Sequence, residues 1–157
     1  MGATLYMTLE PCSHWGKTPP CAEAITEASI ARVVCAVRDP DPRVNGRGFE
    51  ILRAAGITVE TGPCAADAKK IMSGFFYRTR WGVPELIAMD EQPASVPSRL
   101  NAMVTLSPRG RRLLTRKGTI TQDIGISGIP LHRVPAWMGN LGLTSVAVSG
   151  HDPLVHI

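Results

Sequence analysis

No stretch of this chain approaches the roughly 20 consecutive apolar residues that a membrane span requires. Its start, "MGATLYMTLEPC", also lacks a basic segment leading into an apolar core and a small-residue cleavage site. These absences predict a soluble protein without a secretory leader, cytoplasmic by default, with no membrane partner. Cysteine is scarce as well. Cys12, Cys21, Cys35 and Cys64 are unevenly spread over 157 positions and too few for a disulfide framework. In a reducing compartment such a set serves as metal ligand, nucleophile or buried apolar filler. Aromatic residues are missing from the basic stretch "SPRGRRLLTRKG". Nucleic acid is therefore not an expected partner, although residues 91–157 hold seven Lys/Arg against three Asp/Glu and carry all of the +4 net charge. Clear salt-dependent binding to RNA through residues 99–133 would reverse that expectation.

What is present begins as an alternation of strand and helix. "ATLYMTL" is a short β-prone run, and "TPPCAEAITEAS" reads as a helix start with Thr18 as N-cap and Pro19 at the first helical position. "ARVVCAV" is apolar throughout and is followed by the loop "RDPDPRVNGRG". "GFEILRAAG" sets Phe49, Leu52 and Ile51 toward one face and stops at Gly56, while "ITVET" makes a third strand. "CAADAKKIMSGFFYRTR" is a helix broken or ending near Gly74. This order predicts an α/β sandwich over a sheet that is at least partly parallel, with strands apolar because both faces are buried. From residue 85 to 157 the pattern is irregular apart from the strand "TSVAV", and no internal repeat is visible.

The chemistry sits in "EPCSHWGKTPPCAEA". Catalytic zinc takes three protein ligands and leaves the fourth position for water. A cysteine at a helix start is favoured as thiolate. Cys12 at a strand end and Cys21 in a first helical turn could meet on one ion; equally, they could be small apolar residues near a turn, because eight intervening residues is not the compact spacing of a zinc knuckle. Cys35, among valines, is expected to be filler. Cys64 has no evident partner, and His132, His151 and His156 carry no motif.

"TLEPCSHWGKTPPCAEAI" resembles the zinc loop of the cytidine-deaminase superfamily, in the long form of the bifunctional deaminase/reductase of riboflavin biosynthesis. The resemblance continues through "RVVCAVRDPDPRVNGRGFEILRAAGITVETG" and "SGFFYRTRWGVP", over roughly residues 3 to 84. It implies a truncated cytidine-deaminase-like three-layer α/β/α sandwich with a mixed sheet over residues 1–84, followed by an irregular or degenerate segment at 85–157. It implies Cys12 and Cys21 as zinc ligands and places His14, Lys17 and Thr18 in a loop facing the substrate, a phosphorylated pyrimidine. Lys17 suits a phosphate as a mobile point charge, or is a solvated loop lysine. Asn45 either touches the substrate or merely makes a turn.

The superfamily pairs these cysteines with an H-x-E segment that supplies the third ligand and the proton-carrying glutamate. Eleven residues precede Cys12 and no H-x-E occurs anywhere in the chain. The expected zinc site is therefore incomplete and no catalytic residue is assigned. Glu10 could approach the site, whereas Glu23 and Glu27, four apart, are expected on a solvated helix face. "ELIAMDEQPASVPSRL" stands without resemblance where the family's reductase begins, so no complete reductase domain and no bound NADPH are expected. The functional expectation is zinc-dependent hydrolytic deamination of the phosphoribosylaminopyrimidine intermediate, with this chain weakly active or inactive. The alternative is a noncatalytic remnant or binding module that needs an oligomer or a complementing chain, since an unpaired sheet edge is open to pairing.

Overall fold

The structure, a computed structural model, describes residues 2–91, 94–107, 110–117, 120–126 and 128–157. It divides into two compact units, one ending at Met72 and one running from Ser73 to Ile157.

The first unit alternates β1 (Thr4–Leu9), α1 (Cys21–Glu27), β2 (Arg32–Val37), α2 (Arg47–Ala54), β3 (Thr58–Thr61) and α3 (Ala65–Ile71). Its three strands are all parallel in the order β1-β2-β3, with Tyr6 opposite Val34 and Val34 opposite Glu60. The central strand β2 is buried along almost its whole length, which explains its unbroken apolar sequence. Val33 and Cys35 point to one face, where Ala22 and Ile25 of α1 and Phe49 and Leu52 of α2 cover them. Val34 and Ala36 point to the other, beside Ala68 and Ile71 of α3. Helices thus lie on both faces, the expected three layers. Cys35 is the filler its neighbours suggested, fully buried with its thiol donating to the Val37 carbonyl at 3.3 Å.

Helix α1 begins at Cys21, not at Pro19, and Pro20 stands outside it with no side-chain cap. The reason is local, because a residue that precedes proline is pushed out of the helical region, so Pro19 cannot open a helix ahead of Pro20. The break expected near Gly74 falls at Met72, between α3 and α4 (Ser73–Trp81).

The second unit continues with β4 (Glu85–Met89), β5 (Ala102–Ser107), β6 (Gly110–Lys117), β7 (Ile120–Gly125), α5 (Val134–Asn140) and β8 (Ser145–Ser149). The sheet order is β4-β8-β5-β6-β7, parallel through β4, β8 and β5 and antiparallel from β5 to β7. Val104, Leu113, Val134, Met138, Val146 and Leu154 form its main core. An irregular segment over 85–157 is thereby corrected, and "TSVAV" is confirmed as the core of β8. The strands escaped notice because the sequence between β4 and β8 mixes charge with apolar residues and alternates poorly. β6, "GRRLLTRK", buries Leu113 opposite Val104 within a run of arginines.

Candidate functional site

Strand β1 ends where the cysteine loop starts, and Glu10 joins it to the loop that follows β2. The Glu10 backbone N–H donates to the Val37 carbonyl at 2.9 Å. Its carboxylate, only 3% exposed, accepts from the backbone N–H groups of Asp39 (3.1 Å), Gly46 (2.8 Å) and Gly48 (3.0 Å). One buried charge thus satisfies three buried donors that β2 and α2 leave unpaired. Glycine is required at 48, because a Cβ there would overlap the Pro11 carbonyl oxygen. Glu10 is therefore a positioning residue whose carboxylate is engaged by backbone.

The two sequence-predicted ligands come together. The Cys21 N–H donates to the Cys12 sulfur at 3.2 Å, and the Ala22 N–H donates to the Cys12 carbonyl at 3.1 Å. Cys12 thereby closes the start of α1. The hydrogen bond with the Cys12 thiol, together with burial and the charge of Cys12, pushes the Cys21 thiol above its ordinary value. The donor set fits a zinc ion on one side only. Among the described residues no group of three His, Cys, Asp or Glu is placed to hold a metal.

The cysteine loop and the β2–α2 loop also meet beyond the thiols. The Ser13 hydroxyl donates to the Arg43 carbonyl at 3.3 Å. His14 has a buried Nδ1 without a partner among the described residues. Asp39 is buried, which raises its carboxyl, while its Oδ1 accepts from the Asp41 N–H at 2.8 Å. Asp41 is held down to about 2, first by its hydrogen bonds from the Arg43 guanidinium. Sequence reasoning missed both aspartates. The available signal was the Asp-Pro-Asp-Pro run, in which each short carboxylate folds back on a backbone N–H two residues on.

Of the remaining predicted residues, Lys17 and Thr18 are exposed with Trp15 in the cysteine loop. Asn45 is exposed in the facing loop at φ +29°, and its carbonyl accepts from the Arg38 guanidinium. Its turn-making role is plain. Glu23 and Glu27 lie on the exposed face of α1.

No protein-family model matches the chain. Among curated proteins it is 51% identical over 137 residues to the riboflavin biosynthesis protein RibD of Escherichia coli K12, covering 78% of this chain and 37% of that protein. It is 47% identical over 83 residues to the diaminohydroxyphosphoribosylamino-pyrimidine deaminase of Buchnera aphidicola subsp. Schizaphis graminum, covering 53% of this chain and 56% of that one. The chain thus spans well under two thirds of these relatives. The first match is too long to lie within residues 1–84, so likeness extends beyond the span in which the motifs were recognised. Among solved structures, RibD of Acinetobacter baumannii matches 90% of the chain with TM-score 0.62 at 24% identity, over 60% of that structure. A deaminase/reductase of Thermotoga maritima matches 94% with TM-score 0.64 at 21% identity, over 62% of that structure. These two likenesses concern the fold.

Proposed function

From a chain that belongs, through its N-terminal part, with the deaminase/reductases of riboflavin biosynthesis, we infer a share in the deamination of a phosphoribosylaminopyrimidine. The carrying observation is the Cys21 backbone N–H donating to the Cys12 sulfur at 3.2 Å, beneath a loop fixed by Glu10. Cys12 and Cys21 act as two thiolate ligands of zinc. His14 lines the pyrimidine side, and Lys17 and Thr18 meet the phosphate side. Asn45 contributes through its turn. The third ligand and the proton-carrying carboxylate come from residues this sequence does not contain, so the chain alone is weakly active or inactive. The second unit is a counterpart of part of the reductase portion and holds no NADPH.

Cobalt(II) substitution tests the metal half of this reading. Sulfur-to-cobalt charge-transfer absorption is expected for the 157-residue chain and is lost in both Cys12→Ser and Cys21→Ser; its absence from the parent chain rejects the ligand assignment. Ammonia release from the diaminopyrimidine substrate with added zinc tests the rest. Loss of general acid–base help alone predicts a rate lower by about 10²–10⁴ than that of a complete deaminase. Turnover at the full rate would show that residues of this chain complete the site.

A further inference from the structure

We propose a second binding site, for a phosphate-bearing small molecule, in the crevice outside the carboxyl ends of β2 and β3. The chain leaves these adjacent parallel strands in opposite directions, to α2 on one face of the sheet and to α3 on the other. Such a divergence opens a crevice, and in open α/β sheets ligands settle there. Here it encloses about 570 Å³, room for a small metabolite.

Its lining is unlike the rest of the unit. Arg38 follows β2, Arg53 comes from α2 and Lys69 from α3, against one carboxylate, Glu50. Elsewhere in the unit Arg32 pairs with Glu60 and Arg43 with Asp41. Among the described residues none of the three crevice cations makes an ion pair. Arg38 bonds only to the neutral Asn45 carbonyl, and Arg53 lies 5.7 Å from the centre of the Phe49 ring. Three solvent-exposed cations from three elements thus line one crevice, where an anion would meet positive charge on several sides. Two guanidinium forks and an ammonium suit the several oxygens of a phosphate. Glu50 and the Thr61 hydroxyl remain for hydroxyl groups on the rest of the ligand. Neither Cys12 nor Cys21 lines it. It lies at the β2–α2 loop through Arg38 and Gly46, and a Cβ at 46 would run into the Arg38 guanidinium.

Titration of the whole chain with inorganic pyrophosphate at constant ionic strength, followed by calorimetry and amide NMR, tests the assignment. Saturable binding is expected, with shifts at residues 36–38, 46–53 and 61–69. Arg53→Gln and Lys69→Gln should each weaken it about tenfold, Glu50→Gln should tighten it, and Lys70→Gln, outside the crevice, should leave it unchanged. Chloride competing as well as pyrophosphate, equal effects of Lys69→Gln and Lys70→Gln, or weaker binding in Glu50→Gln would each overturn the site. None of these readouts depends on ammonia release.

Discussion

The two units solve the problem of joining distant segments with different chemistry. In the first, local βα order builds a parallel sheet, and a single buried carboxylate, Glu10, joins the loops at its carboxyl end through backbone amides. In the second, β5, β6 and β7 pair antiparallel as sequence neighbours, while β8 pairs with β4 and β5 from far along the chain and is secured by side chains that cross the same gaps. The Asn101 side-chain oxygen accepts from the N–H groups of Thr144 (2.9 Å) and Ser145 (3.2 Å). Asp152, 1% exposed, accepts from the Arg111 Nε at 3.0 Å and from the Leu154 N–H at 2.9 Å. A buried anion is tolerated in both because every such carboxylate has donors, yet only the first places its anion beside a cysteine loop. The site belongs to the unit whose loops are gathered at one sheet end by the fold itself.

Core truncation should divide the units most strongly. Leu52→Ala is expected to cost about 2–5 kcal/mol and Leu113→Ala a similar amount, both side chains being fully buried. Amide exchange should show protection lost in the first unit for Leu52→Ala and in the second for Leu113→Ala; loss spread equally over both would erase the distinction. Glu10→Ala, next in size, strands three buried amides and should cost about 3 kcal/mol. It should also disorder residues 39–48 and weaken cobalt binding. Unchanged stability in urea titrations would show that the carboxylate is not the tie we describe.

Asn101→Ala, its counterpart in the second unit, should cost about 1–3 kcal/mol by stranding the two amides at the start of β8. Its effect should leave the thiol site's cobalt spectrum intact.

The smallest effect concerns acid. Asp41 is held down to about 2 by Arg43, so it stabilises the fold above its unfolded value near 3.8 and loses that contribution as pH falls toward 2. The Arg43 side chain is 69% exposed, which limits the gain to below about 1 kcal/mol. Asp39 works in the opposite sense, because burial raises its carboxyl and protonation on acidification favours the folded form. Stability curves of Arg43→Gln should therefore be flatter than the parent's between about pH 4 and 2; identical slopes would deny the pair any role.

Legibility followed the same division. Three strands, the buried face of α2 with Phe49 and Leu52, the stop at Gly56 and the two cysteines could be read because each depends on neighbours a few residues away. The helix start at Cys21 was readable too, had the proline pair been weighed above the threonine before it. The role of Glu10 was not, because its partners lie 29 to 38 residues on and are backbone groups without identity in the sequence. β6 was not legible either, because its arginines alternate poorly with its leucines and only its pairing with β5 selects the buried side.

By itself the sequence determined the alternating βα order, the apolar interior of β2 and the residue types of the cysteine loop, since period, turn chemistry and composition act over short range. Tertiary structure alone decided that the Cys21 N–H meets the Cys12 sulfur, that the Glu10 carboxylate gathers the amides of Asp39, Gly46 and Gly48, and that Arg38, Arg53 and Lys69 share one crevice. Those meetings are set by which loops a twisted sheet brings to the same end, and buried amides that must find an acceptor hold them there.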